Sequence, residues 1–195
     1  MFDKNDFSGN EITIYLEEFS KGNKHAFNKL FPLVYNELRK NAHSIRFHFF
    51  DLQTMNTTAI VHETYLKLLQ SGSKNFKNRS HFYYIASKAM RQILVNSSLK
   101  KRTMKRGGEE KIISMDVIQD HVYISDQTSE ELLMLNEALQ KLENENSRQA
   151  KIVECRFFGG MSIEETASVL DVSPATVKRS WNFARTWLYS ELSYG

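Results

Sequence analysis

Apolar residues recur along most of the chain at the three-and-four spacing of an amphipathic helix. Gly22 and Asn23 interrupt the pattern early, and Pro32 lies in the second segment, where it either falls near the start of a helix or bends one. The pattern predicts an all-α fold. The positions that carry it, segment by segment, are Ile12, Tyr15, Leu16 and Phe19; Phe27, Leu30, Phe31, Val34 and Leu38; Val61, Tyr65, Leu68 and Leu69; Phe82, Ile85, Ala86, Ala89 and Ile93; and Leu132, Leu135, Leu139 and Leu142.

Composition narrows the class of protein. The 195 residues are 41% hydrophobic and 25% charged, with only eight Gly and two Pro, as expected for a helical globular chain. The single cysteine, Cys155, cannot form an internal disulfide, which fits a reducing compartment, and we expect it to pack in the core. No apolar run approaches the roughly 18 residues of a membrane span, and the N-terminus lacks an export pattern. We therefore expect a cytoplasmic protein that does not bind membranes.

Charge is distributed unevenly along the chain. Residues 1–108 hold 18 Lys and Arg against 8 Asp and Glu, residues 109–145 hold 2 against 10, and residues 146–195 hold 6 against 5. A basic block followed by an acidic connector indicates a nucleic-acid partner for the first block. We predict two small helical domains, residues 1–106 and 129–195, joined by an acidic linker over residues 107–128.

The segment from Phe82 to Gly108 contains no acid and seven cations. Such a run attracts phosphate, although a solvated basic face is the ordinary alternative for an isolated charge run. The cations are Lys88, Arg91, Lys100, Lys101, Arg102, Lys105 and Arg106.

The segment from Gly159 to Leu188 carries the signals of two helices joined by a tight turn. Ser162 followed by Glu165 is a capping box, which predicts the start of the first helix. Asp171 occupies the turn, where a residue tolerant of the left-handed conformation is required. Ser173 then caps a second helix, and Pro174 suits its first position. Two helices joined so closely form a helix-turn-helix.

The second of these helices separates its faces. Val177, Trp181, Ala184 and Leu188 share one arc, and the opposite arc is small, polar or cationic. Side chains of the latter types contact base edges and phosphates in the major groove, so the arrangement favours DNA binding over a plain helical hairpin. The opposite arc consists of Ala175, Lys178, Arg179, Asn182 and Thr186.

Four segments together resemble bacterial RNA polymerase sigma factors of the extracytoplasmic-function (ECF) type in the sigma-70 family. They are FNKLFPLVYNELRK, AIVHETYLKLL, HFYYIASKAMRQILVNSSLKKR and RQAKIVECRFFGGMSIEETASVLDVSPATVKR, in the order found in the family. Many transcriptional regulators share a module similar to the last segment, so the set of four carries the resemblance.

The resemblance implies that residues 1–106 form a sigma-2-like domain. Its helix from Thr58 to Gln70 would dock on the clamp helices of the polymerase, the loop from Ser71 to Arg79 would capture a flipped base, and the next helix would contact the minus-ten element. The implied polymerase contacts are His62, Glu63 and Lys67; the implied minus-ten contacts are Phe76, Lys77, Asn78, Arg79, Lys88, Arg91, Gln92 and Asn96.

Two features of the first domain depart from the family pattern. Lys88 stands where many members of the family have Asn, so the family's base preference at this position is not assigned to this protein. The segment FHFFDLQTMNTT matches the pattern poorly, and we interpret its Phe47, Phe49 and Phe50 as core residues.

Residues from about Ser129 onward would form a sigma-4-like domain whose earlier helices contact the polymerase flap. The acidic linker would either thread the polymerase cleft or act as a plain tether. The implied contacts with the minus-thirty-five element are Ser173, Ala175, Thr176, Lys178, Arg179 and Asn182.

We therefore predict a sigma factor that binds core RNA polymerase and promoter DNA, both double-stranded and melted, with no catalytic residue, metal or cofactor of its own. An anti-sigma protein is a further candidate partner. The alternative is a helix-turn-helix regulator that binds operator DNA without polymerase. An enzyme acting on nucleic acid is disfavoured because Leu66 breaks a His62-Glu63 zinc-protease motif and His43, His48 and His81 are scattered.

Overall fold

The computed structural model describes residues 4–48, 56–70, 76–106 and 127–194. Within these ranges the chain is helical and contains no strand, which confirms the all-α prediction. The helices are α1 (Lys4–Ser20), α2 (Lys24–His48), α3 (Thr57–Gln70), α4 (Arg79–Arg106), α5 (Gln127–Glu145), α6 (Ser147–Val153), α7 (Ile163–Leu170) and α8 (Pro174–Tyr194), with a π-helical turn (Glu154–Phe158) after α6.

Helices α1 to α4 pack around an apolar core with a cluster of aromatic rings at its centre. The ring centroids of Phe19 and Phe27 lie 4.5 Å apart, and Phe76 stacks on Phe19 at 6.1 Å. These side chains are almost fully buried. Most apolar positions that the helical spacing predicted, including Leu16 and Leu30, are buried in this core, and others such as Tyr65 are partly buried against it. Ile93 of the predicted α4 face is only half-buried, whereas its neighbours Leu94 and Val95 are buried.

Pro32 lies inside α2, eight residues after its first residue. The sequence had left open whether this proline starts a helix or interrupts one, and the structure shows that the helix runs through it. Because proline lacks a backbone N–H, α2 loses the hydrogen bond that position 32 would otherwise donate to the carbonyl of Asn28.

Helices α5 to α8 lie in residues 127–194, which correspond to the predicted second domain and are called the second domain below. The leucines predicted for the inner face of α5 are buried, as is Cys155 in the π-helical turn. A smaller core of Ile152, Ala167 and Val177 joins α6 to the helix-turn-helix. The second domain therefore has an apolar interior that includes the base of the helix-turn-helix.

The helix-turn-helix has the caps that its sequence predicted. Glu165 N donates to Ser162 Oγ at 3.1 Å and Ser162 N donates to Glu165 Oε2 at 2.8 Å, which completes the capping box. Asp171 adopts the left-handed conformation with φ of 53°. Thr176 N donates to Ser173 Oγ at 3.2 Å, and Pro174 begins α8.

The helices of the two predicted domains pack against each other. Helix α4 contacts α5, α7 and the π-helical turn, and α2 also contacts that turn. Buried residues of both domains belong to one continuous apolar cluster. Residues 107–126 of the predicted linker lie outside the described residues, and its last two residues begin α5. Phe49, Phe50 and the side chain of Phe47 also lie outside the described residues. In the described part of the chain, no helix combines the length and apolar character that crossing a membrane requires.

Candidate nucleic-acid and polymerase interfaces

The polar arc of α8 faces solvent. Lys178, Arg179 and Asn182 are exposed, while Val177 and Ala184 on the opposite side are buried. Ser173 and Ala175 are also exposed, and Thr176 is half-buried with its Oγ1 2.9 Å from Ser173 Oγ. Because the buried arc fixes the rotation of the helix, the residues predicted to contact DNA form one accessible surface at the N-terminal half of α8.

The outer face of α3 contains the three residues predicted to contact polymerase. His62, Glu63 and Lys67 are exposed, and the buried face of the same helix holds Ile60, Val61 and Leu68. Leu66 lies among the exposed residues and is itself 44% exposed. Leu66 was not among the polymerase contacts predicted from the sequence. It could have been found there, because it is an apolar residue outside the apolar stripe of its helix.

The residues before α4 have structural partners of their own. Asn78 caps α4, since its Oδ1 accepts from His81 N at 2.8 Å, and Arg79 lies over the ring of Tyr83 at 5.6 Å. Lys77 is exposed. Residues 71–75 of the predicted base-capturing loop lie outside the described residues.

Phe76 departs from the expectation of an open aromatic platform. Its ring is 5% exposed and packs between Phe19 and Phe82, with the centroid of Phe82 5.4 Å away. Burial between two phenylalanines leaves no free ring face on which a base could stack. Burying an apolar ring is favourable relative to leaving it in water. In this conformation Phe76 is therefore a core residue.

Gln92 and Asn96 are the accessible members of the predicted minus-ten set on α4. Both are exposed, and Gln92 Nε2 donates to Asn96 Oδ1 at 3.0 Å across one helical turn. Lys88 is half-buried, with its Nζ 5.8 Å from the centroid of the Tyr84 ring.

Arg91 is held by the second domain. Its Nε donates to Glu154 Oε2 at 2.8 Å, its Nη1 donates to Asn136 Oδ1, and its guanidinium lies 5.6 Å from the ring centroid of Phe158. The side chains of Arg91 and Glu154 are only 12% and 5% exposed. The structure therefore places Arg91 in the contact between the domains, where DNA cannot reach it in this conformation.

Burial governs the electrostatics around Arg91. Desolvation raises the pKa of the Glu154 carboxyl, and the Arg91 guanidinium partly opposes this shift by attraction and hydrogen bonding. Desolvation also raises the pKa of Tyr84, with the Glu154 charge as the next cause. On the other side of the contact, burial raises the pKa of Tyr83 to about 12.

Glu154 and Asn136 were missed by the sequence analysis. A signal for Glu154 was available, because this acid lies between the apolar residues Val153 and Cys155 in a helical segment and is expected to need a buried cation. Its partner could not be identified, since Arg91 lies 63 residues earlier in the chain.

Cys155 provides a test of this packing. Burial raises the pKa of its thiol to about 12, and the Glu154 charge adds to the shift. At pH 8 only about one thiol in 10⁴ is then ionised, whereas an unfolded cysteine is ionised to roughly a quarter. We expect iodoacetamide to modify Cys155 more than about 100-fold more slowly in the folded protein than in urea. Equal rates, measured by mass spectrometry, would contradict the packing described.

A groove of about 790 Å³ opens on the second domain between α5, α6 and α8. Apolar side chains line most of it, among them Leu135, Phe157 and Trp181. Tyr189 and Leu192 at its rim are 75% and 37% exposed. The groove runs along α8 beside the polar arc, and Asn182 and Thr186 of that arc belong to its lining, so the apolar groove and the polar surface adjoin each other.

An all-α chain with a capped helix-turn-helix, a cationic polar arc on its second helix and a basic first domain defines a DNA-binding regulator of transcription. The family model described as ECF sigma factor matches residues 9–194. The chain belongs to the ECF sigma factor family and has the role of a sigma factor in transcription initiation. A comparison with curated proteins found no match.

Proposed function

We propose that this protein binds core RNA polymerase through α3 and the groove of the second domain, and that it directs the enzyme to promoters with two separate DNA contacts. The single observation that carries the proposal is the exposed polar arc of α8. The opposite side of the helix is buried, so the polar arc faces outward, where it can enter a major groove. The polymerase performs the chemistry. The sigma factor contributes binding energy that selects the start site and favours strand opening.

The contact with the minus-thirty-five element is assigned to Ser173, Ala175, Thr176, Lys178, Arg179 and Asn182. Lys or Arg pairs with guanine and Asn with adenine in the major groove, and all six residues lie on or beside the exposed arc. The proposed minus-ten contacts are Lys77, Asn78, Gln92 and Asn96, together with Arg79, Lys88 and Arg91 once the second domain no longer covers this side of α4.

Two moderate contacts on one chain reinforce each other. When one domain binds, the second acts at a high local concentration set by the connector between them. Neither small domain then needs high affinity on its own. This mode of binding suits a protein that must release the promoter after initiation.

The proposed clamp-docking surface is the exposed face of α3, made of His62, Glu63, Leu66 and Lys67. Replacing Leu66 by aspartate should weaken polymerase binding about tenfold or more, because it puts a charge where an apolar contact is buried on binding. The side chain is 44% exposed in the free protein, so folding should be unaffected.

Ile14→Asp is the matched control for Leu66→Asp. Ile14 is 47% exposed on α1, in the same domain but on another helix. Affinity for core polymerase is measured by fluorescence anisotropy. Equal losses for the two variants, or no loss for Leu66→Asp, would contradict the assignment of α3.

The groove of the second domain is proposed to bind the polymerase flap, as the resemblance to the family implies. Its apolar lining suits an apolar helix of a partner better than it suits DNA.

In vitro transcription with a randomised promoter library tests the proposed function. The protein and core polymerase should together enrich templates that share two short motifs at a fixed spacing, with defined start sites. A helix-turn-helix regulator that acts without polymerase would instead bind duplex operators, commonly as a symmetric dimer on paired half-sites. Operator binding without polymerase-dependent enrichment would overturn the proposal.

A further inference from the structure

His81, in the first turn of α4, holds both residues that immediately precede the helix. Lys77 N donates to His81 Nδ1 at 3.2 Å, and His81 N donates to Asn78 Oδ1 at 2.8 Å. Hydrogen bonds therefore run in both directions between this turn and the helix, as in a capping box, where a Glu or Gln side chain usually provides the return bond. Here an imidazole provides it.

The hydrogen bond from Lys77 defines the protonation state of the His81 ring. Because Nδ1 accepts from a backbone N–H, it carries no proton, and the proton of the neutral ring lies on Nε2. A protonated ring would have a donor at both nitrogens, so its Nδ1–H would face the N–H of Lys77. The hydrogen bond therefore exists only while the ring is neutral.

The surroundings of the ring favour this neutral form. Burial lowers the pKa of His81 from its ordinary value of 6.5, and the Lys77 ammonium lowers it further. The ring centroid lies 6.2 Å from that of Tyr84, whose own pKa is raised by desolvation, so this neighbour stays uncharged. Among the described residues, no carboxylate forms an ion pair with His81. The neutral ring and its hydrogen bond are thus fully present above about pH 6.5 and are lost as the pH falls below it.

Lys77 and Asn78 join α4 to the core of the first domain. Phe76, immediately before them, is buried, and its N–H donates to Ser20 Oγ on α1 at 3.4 Å. The next N–H along the chain, that of Lys77, is held by a side chain that can change its protonation state. The side chain of Lys77 is exposed, so the direction in which its ammonium points depends on a backbone that His81 fixes.

We propose that His81 is a positioning residue for the minus-ten contact, whose neutral ring holds Lys77 and Asn78 in the arrangement that discriminates melted promoter DNA from other single strands. Protonation releases the Lys77 backbone and lowers this discrimination. The added charge attracts phosphates whatever the sequence, so the effect concerns preference and not total affinity. The inference rests on the proposed function of Lys77 and Asn78 as minus-ten contacts, whereas the hydrogen bond itself does not.

Nitrogen NMR of the full chain tests the hydrogen bond. At about pH 8 the ring of His81 should show the Nε2–H tautomer, and the Lys77 amide should be protected from exchange with water until His81 becomes protonated. His81→Asn can offer its Oδ1 close to the place of Nδ1, so the protection should persist there and no longer follow protonation. His81→Leu should abolish it. An Nδ1–H tautomer, or equal protection in His81→Leu, would overturn the inference.

Competition between single strands tests the effect on discrimination. Complexes of core polymerase with each variant bind strands that carry the minus-ten motif enriched from the randomised library, against strands with that motif scrambled. At about pH 8, wild type and His81→Asn should show equal preference, and His81→Leu should lose about two- to tenfold, the equivalent of one hydrogen bond. Towards about pH 5.5 the wild-type preference should fall to that of His81→Leu, whereas that of His81→Asn should stay constant.

His43→Asn is the matched control, because His43 is exposed on α2 of the same domain, and it should behave as wild type at every pH. A wild-type preference that does not change with pH, or equal preferences for His81→Asn and His81→Leu, would overturn the positioning role. Failure of the proposed function is a separate result, in which the Lys77 amide behaves as expected but no variant binds core polymerase. That result would overturn the role in promoter contact and leave the hydrogen bond standing.

Discussion

Replacing Phe27 by alanine is expected to lower the free energy of unfolding by about 3–5 kcal/mol. The Phe27 ring is 1% exposed and lies at the centre of the aromatic cluster, 4.5 Å from the centroid of Phe19 and 5.1 Å from that of Tyr65. Truncation removes the apolar contacts of the ring and leaves a cavity that helices α1 to α3 cannot close without moving. The loss is measured by urea denaturation followed by circular dichroism.

Phe183→Ala is the matched control for Phe27→Ala. Phe183 is 57% exposed on α8, so the same truncation there should change the unfolding free energy by no more than about 0.5 kcal/mol. If the two variants lose similar amounts of stability, the first domain is not organised around the aromatic cluster. Both domains contribute to one apolar cluster, so the two-state assumption should be checked with a second probe.

Replacing Lys178 and Arg179 together by alanine is expected to cost about 2–6 kcal/mol of promoter affinity, since a bidentate base contact contributes about 1–3 kcal/mol. Both side chains are exposed and point away from the buried Val177, so the helix itself should remain folded. The polymerase complex of the variant is titrated with promoters that carry changes in the minus-thirty-five element.

The pattern of losses distinguishes two kinds of contact. Relaxed preference at one or two base pairs indicates contacts with base edges, whereas uniform weakening and a shallower salt dependence indicate contacts with phosphates. Arg148→Ala is the control, because Arg148 is an exposed cation on α6 that lies outside both the polar arc of α8 and the lining of the groove. An equal loss for Arg148→Ala would contradict the assigned face.

The helix-turn-helix was predictable in detail because its determinants are local. The capping box of Ser162 and Glu165 spans three residues, and the turn requires one residue that accepts positive φ, which Asp171 does. The spacing of Val177, Ala184 and Leu188 fixes which side of α8 is buried. Interactions of this range are encoded in adjacent residues and need no knowledge of the remaining chain.

The environment of the basic helix was not predictable in the same way. Arg91 lies outside the apolar positions that helical spacing assigns to α4, but its side of the helix is covered by residues that follow 45 and 63 positions later. Phe76 was predicted to be accessible and is buried. An aromatic residue in a polar loop suggests a platform for bases, and only the packing of α1 against α4 shows that its ring lies in the core. Contacts between distant segments depend on how the domains meet, which periodicity does not encode.

The affinity of the purified chain for core RNA polymerase tests the central claim most directly. Titration of labelled protein with core enzyme, followed by competition with a Leu66→Asp variant, should show specific binding of the wild type and a clearly weaker competitor. Absence of specific binding by the wild-type chain, with duplex DNA binding intact, would contradict the account.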